Sequence, residues 1–293
     1  LTKENMCNLY SVKDINLLLN KYNFCFSKGL GQNFISSPHL CPKIVSKSGI
    51  TEKTGVIEIG PGIGVLTREI ASRAKKVVSV EIDKRLLPIL SDTVSFYDNV
   101  KIINNDILKV NINGLIQDEF RGFEDIKVCA NLPYYITSAV IMKLLEEDSD
   151  ITSMTLMVQR EAADRICALP GSRECGALSL AIRYYADSEI LFKVSRSCFI
   201  PSPKVDSSVI KITKNSKNSA NIIDKNTFFR TVKSSFSQRR KTVVNSLSSE
   251  FALKKDSLNM ILCDLNISLK SRPEQLSFVD FGRLSNSIYD RII

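Results

Sequence analysis

IEIGPGIGVLT, residues 57–67, is the stretch on which the reading of this chain turns. Its apolar start predicts a buried strand that ends at Gly60. A glycine turn follows, and Leu66 to Ala74 reads as helix. Glycines at such a turn let the backbone bend sharply and come close to a ligand where a Cβ would clash. An acidic residue about 20 positions on, ending the next strand, suits an acceptor for ribose hydroxyls, and Glu81 stands there. Gly60, Gly62 and Gly64 are followed by Arg68 rather than by a further glycine. That departure disfavours a pyrophosphate and leaves room for a nucleoside without phosphates. A tight strand-to-helix turn with no ligand remains the alternative at this point.

Outward from this motif, short β-rich runs alternate with helical stretches. The runs are 56–60, 77–83, 100–104, 126–131, 154–159 and 207–212, and helices are predicted over 64–74, 84–95, 137–147 and 160–168. Near-continuous apolar strands alternating with helices predict an α/β domain with a mostly parallel sheet covered on both faces. Before it, Val12, Ile15, Leu18, Leu19 and Tyr22 predict a short amphipathic helix within an N-terminal extension, residues 1–30. After it, the polar stretch 214–227 reads as a linker. From Phe228 on, apolar residues recur at helical spacing, and one helix is predicted from Phe228 to Leu247. The expected organisation is a sheet domain over 1–213 and a small all-α domain over 214–293.

At 293 residues the chain is long enough for two domains that need no disulfide staples. Hydrophobic residues make up 44% and charged residues 24%, which excludes disordered and collagen-like classes. No apolar run approaches the 18 residues or more of a membrane span, and no secretory signal is recognisable. Eight cysteines without a C-x-x-C pair, and a single His, argue against zinc, redox and Ser-His-Asp chemistry. No metal is expected, and free thiols suit a cytoplasmic protein. The net charge of +9 is uneven: from Lys214 on there are 14 Lys+Arg against 7 Asp+Glu, and before it 26 against 24. A basic segment of this kind points to a polyanion, with a solvated basic face as the alternative. Arg239, Arg240 and Lys241 lie in that segment and are candidates for phosphate contact.

Two further motifs could carry chemistry. Asp106 follows the third run, where its carboxylate could accept from an adenine amino group or cap a helix. NLPY, residues 131–134, ends the fourth run. It offers the Asn131 side-chain carbonyl, the Leu132 main-chain carbonyl ahead of Pro133, and the Tyr134 ring. Two acceptors and an aromatic plate suit an exocyclic amine on a flat base. Accepting both N–H groups would draw the nitrogen lone pair out of the ring and toward an electrophile. A proline turn with an interfacial Tyr is the plainer alternative.

LGQNF (30–34), EIGPGIGVLT (58–67), EID (81–83), ND (105–106), ANLPYYI (130–136), QRE (159–161), FIPSPKVDSSV (199–209) and FSQRRKTVVNSL (236–247) occur in this order. Together they resemble the ribosomal RNA adenine N6,N6-dimethyltransferases, specifically the KsgA-type enzymes of the small subunit. The resemblance runs from about Lys28 to the end. It implies a Rossmann-like methyltransferase sheet with a helical C-terminal domain, and S-adenosyl-L-methionine as cofactor. It implies N6 dimethylation of two adjacent adenines near the 3′ end of small-subunit rRNA, linked to subunit maturation. By the same resemblance Asn33, Ile35, Gly60, Glu81, Asp106 and Asn131 would line the cofactor pocket. Tyr134 and Phe199 would hold the target adenine between their rings. The expected partner is the assembling small subunit, met by a monomer. The sister type that acts on large-subunit rRNA, a non-catalytic ribosome-assembly factor and a nicotinamide oxidoreductase are the alternatives. Two positions depart from the family. Ile35 is a trivial aliphatic change. Cys175 stands where Tyr often precedes Gly176, and it bears on local packing or an RNA contact.

Overall fold

The computed structural model describes residues 8–147, 149–215, 220–238 and 241–292. Its strands are β1 (Phe34–Ile35), β2 (Gly55–Ile59), β3 (Lys76–Glu81), β4 (Val100–Asn104), β5 (Ile126–Asn131), β6 (Ile151–Gln159), β7 (Ala186–Val194), β8 (Phe199–Ile200) and β9 (Ser207–Lys214). Seven of them form one sheet in the order β4-β3-β2-β5-β6-β9-β7, and β1 pairs with β8. From β4 to β6 every pairing is parallel, while β9 runs antiparallel to β6. All five residues of β2 are buried, as expected for a central strand with helices on both faces. The expected α/β sheet is observed, with β7 as a strand that the sequence reading lacked.

Helices α1 (Val12–Lys21), α2 (Leu40–Ser48), α3 (Val65–Ala71), α4 (Leu87–Val94), α5 (Ile112–Glu119) and α6 (Thr137–Glu146) belong to the sheet unit. Side-chain oxygens of Ser11 and Asn111 cap α1 and α5 by accepting from Asp14 and Gly114 N–H groups. α3 opens at Gly64, whose φ of +88° a side chain would resist. There a Cβ would also meet Val94 Cγ1 at 2.7 Å and Thr93 Oγ1 at 2.9 Å. The glycine thus lets α3 pack directly on α4.

The chain divides into two compact units. The first runs to Ala163 and resumes over Glu189–Lys214; the second comprises Asp164–Ser188 and the chain from Asn215 on. The boundary expected at 213/214 is therefore not the only crossing. After α7 (Arg160–Ile166), the helix α8 (Ala177–Tyr185) joins the tail, because Leu180 and Tyr184 pack in one apolar cluster with Phe228. Cys175 is buried in that cluster, so it acts on packing.

The tail holds α9 (Lys225–Ser237), α10 (Val243–Phe251), α11 (Lys255–Asp264) and α12 (Phe278–Ile292). The single helix expected over 228–247 is two helices. Gln238 leaves the helical region at φ −134°, ψ 75°, and Thr242 stands extended at the N-cap of α10. A β-branched run, Thr242-Val243-Val244, favours starting a helix at Thr over continuing one through it. Among the described residues no helix is long and apolar enough to cross a membrane.

Candidate active site

The strand order reverses at β2, which runs on to β3 on one side and lies beside β5 on the other. The carboxyl ends of β2 and β5 therefore leave the crevice where open parallel sheets bind ligands. A pocket of about 310 Å³ opens there. Asn33, Ile35, Gly60, Glu81, Asp106, Asn131, Leu132 and Tyr134 all line it, although they come from five separate stretches of sequence. Phe199 does not. Its ring is 4% exposed in the core, and its backbone pairs with Ile35 across β1 and β8. Lys241 is exposed just ahead of α10, and Arg239 and Arg240 lie outside the described residues.

Gly60 directly follows β2 with φ +69°, and a Cβ built on it would meet nothing within 4 Å. Open space above a strand end is what a ligand lying against the backbone needs. Beside it, Glu81 is 4% exposed at the end of β3. Its Oε1 accepts from the Asp83 N–H at 2.8 Å and its Oε2 from the Gly62 N–H at 3.3 Å. Burial raises the carboxyl to about 6, and the two N–H groups hold it from rising further. Asp106 Oδ1 accepts from the Leu108 N–H at 3.0 Å, a turn-forming contact, while the residue also faces the pocket. The next helix, α5, starts later and is capped by Asn111, so Asp106 closes a turn and does not cap a helix.

At the end of β5, Asn131 Nδ2 donates to the Asn33 carbonyl at 3.2 Å. That contact fixes the amide and leaves Oδ1 as the acceptor. The Leu132 N–H donates to the Met157 carbonyl at 3.1 Å, which ties the motif to β6. The Tyr134 hydroxyl lies 3.1 Å from Ser207 Oγ. Burial pushes its phenol above the usual range, against the pull of that hydrogen bond.

Sequence reasoning gave no role to Gln32, Asp83, Ile82 or Leu108. Gln32 Oε1 accepts from the Ser27 N–H and its Nε2 donates to Asp83 Oδ2, both at 2.8 Å. Arg85 donates to the same carboxylate from Nε and Nη2, which holds Asp83 below its usual range. This network ties the segment before β1 to the pocket rim. Ile82 and Leu108 are 51% and 36% exposed and line the pocket, two apolar surfaces open to a flat ring. An apolar residue directly after Glu81 was the available signal. Deeper in β2, Glu58 is 1% exposed; Ser79 Oγ donates to its Oε2 at 2.6 Å, and its Oε1 has no partner among the described residues. Burial raises this carboxyl to about 7.

A ribosomal RNA small subunit methyltransferase A from Clostridioides difficile is 49% identical over 94% of this chain and 95% of its own length. The same-named protein of Bacillus cytotoxicus is 47% identical over 92% of this chain and 94% of its own. A dimethyladenosine transferase from Plasmodium falciparum superposes with a TM-score of 0.71 at 26% identity, covering 85% of this chain and 95% of that one. The 23S rRNA methyltransferase ErmE shares the fold, with a TM-score of 0.67 at 23% identity over 87% of this chain and 99% of its own. The profile of the family described as ribosomal RNA adenine dimethylase matches residues 23–288, and the chain belongs to that family.

Proposed function

We infer that this protein transfers methyl groups from S-adenosyl-L-methionine to N6 of adenine in small-subunit rRNA. The observation that carries the reading is one pocket that brings the buried carboxylate of Glu81 together with the acceptors and ring of the NLPY segment. The pocket fits a nucleoside-type cofactor: open space over Gly60, a recessed acid and two exposed apolar walls at Ile82 and Leu108. Glu81 would take the ribose hydroxyls, and Asp106 the cofactor's adenine. Asn33 and Ile35 would close the near side. When bound, the cofactor supplies an electrophilic methyl group on a sulfonium.

The chain's own part is orientation. Asn131 Oδ1 and the Leu132 carbonyl accept from the target amine, which frees its lone pair for attack. Tyr134 holds the flipped base by stacking. Phe199 would complete a second plate only by turning its ring out of the core. Positioning of this kind can supply most of the rate, as effective molarities of intramolecular reactions suggest. No group in the pocket has to act as a dedicated base, since the alkylated amine loses its proton readily to solvent.

The finer reading is dimethylation of two adjacent adenines near the 3′ end, linked to subunit maturation, by a monomer in the cytoplasm. The basic tail, with Arg239, Arg240 and Lys241, would supply contacts to rRNA phosphates. Labelled cofactor incubated with purified small or large subunits, followed by mass spectrometry of rRNA nucleosides, tests the reading. Dimethyladenosine in small subunits alone is expected. Label in large subunits alone, or in neither, overturns it.

A further inference from the structure

A second cavity, of about 410 Å³, lies in the sheet unit apart from the cofactor pocket. Arg160, Arg196 and Lys204 line it together with the acids Glu161 and Asp206. All three cations are exposed, and none of them is ion-paired among the described residues. Asp206 acts here as a clamp. Its Oδ1 accepts from the Arg196 N–H and its carbonyl from the Arg160 N–H, both at 3.0 Å. Arg196 Nη1 reaches the Lys204 carbonyl at 3.5 Å, and the Arg196 carbonyl accepts from Ser202 Oγ at 3.0 Å. Three segments are thereby held at a fixed spacing with their cations outward. With three cations against two acids the cleft keeps a net positive charge, which an anion would complement.

The position of this cleft says which anion. Arg160 follows Gln159, which pairs with Ser207 across β6 and β9. Ser207 Oγ is the atom beside the Tyr134 hydroxyl. β6 runs parallel to β5, and neighbouring strands lie about 4.8 Å apart. The cations therefore stand at the same sheet edge as Asn131 and Tyr134, one strand over. A base drawn into the pocket leaves its phosphodiester backbone outside, and guanidinium forks suit phosphate oxygens.

We propose that Arg160, Arg196 and Lys204 form a phosphate-binding cleft that grips the rRNA strand next to the flipped adenine. The proposal deepens the rRNA methyl-transfer reading and rests on it. Binding to purified small subunits across a salt series tests it, with Arg160→Gln, Arg196→Gln and Lys204→Gln combined. The expected result is an affinity at least about fivefold lower and a flatter salt slope. The slope should fall by up to about 0.7 for each phosphate no longer neutralised, near 2 for all three. Melting temperature and cofactor affinity should match the wild type. Arg160→Lys with Arg196→Lys keeps the charges and should retain most of the slope. The single Lys204→Gln should show about one third of the effect of the triple variant. An unchanged slope in a folded triple variant overturns the cleft while wild-type methyl transfer still upholds the function. Wild-type protein that methylates no rRNA overturns both.

Discussion

At Glu81, burial and charge pull in opposite directions. The carboxyl sits near 6, so it is mostly ionised at neutral pH yet stays recessed. Glu81→Ala is expected to weaken S-adenosyl-L-methionine binding by about 1 to 3 kcal/mol, the range for charge-assisted hydrogen bonds. Calorimetry on the folded variant checks this. A protonated carboxyl is a poorer acceptor for hydroxyls, so wild-type affinity should fall as pH drops through about 6, and Glu81→Gln should flatten that dependence. Asn131 faces the other half of the pocket, with its amide set by the Asn33 carbonyl. Asn131→Ala should cut turnover more than about tenfold, over 1.4 kcal/mol of barrier. Tyr134→Ala should mainly raise KM for the subunit, since stacking of a base is worth roughly 1 to 3 kcal/mol. Steady-state methyl incorporation separates the two effects.

Among the elements, the turn from β2 into α3 is the least tolerant of change. Gly64→Ala would force a side chain into positive φ and against Val94 and Thr93. A loss of about 2 kcal/mol is expected, read as a shift in urea midpoint. The same turn was also the most legible part of the sequence, because buried strands there are continuous apolar runs. β7 was not legible. Its exposure varies along ADSEILFKV, with only the first and last residues buried, so neither helix nor strand periodicity stands out. The break between α9 and α10 was missed for another reason. The apolar spacing of Phe228, Val232, Val243 and Leu247 carries across it, and only Thr242 marks the new cap. Pocket residues were legible through their motifs. The burial of Phe199 and the Gln32–Asp83–Arg85 network depend on contacts between distant segments, which no local pattern encodes.

For the molecule as a whole, charge is divided by segment: the chain from Lys214 on carries most of the surplus. If that segment meets rRNA phosphates, replacing Arg239, Arg240 and Lys241 by Gln should weaken small-subunit binding. It should also flatten the salt slope by about 0.7 to 0.9 for each phosphate left without its cation. Cofactor affinity and melting temperature should stay put, because Lys241 is exposed and outside the pocket. A salt series on purified subunits, run beside calorimetry, reads both.

Glu58 has a consequence for proton balance on folding. Its carboxyl rises from 4.5 in the open chain to about 7 in the native strand, because burial disfavours the charged form. The chain therefore takes up a proton as it folds between those two values. Stability from this group is complete below about 4.5 and drains away as pH climbs toward 7, by up to roughly 3 kcal/mol. Ligand-free protein should melt lower at pH 8 than at pH 5, and Glu58→Gln should remove most of that slope. Refolding in weakly buffered solution should turn the medium alkaline near pH 6, a signal that a pH-indicator dye would follow directly.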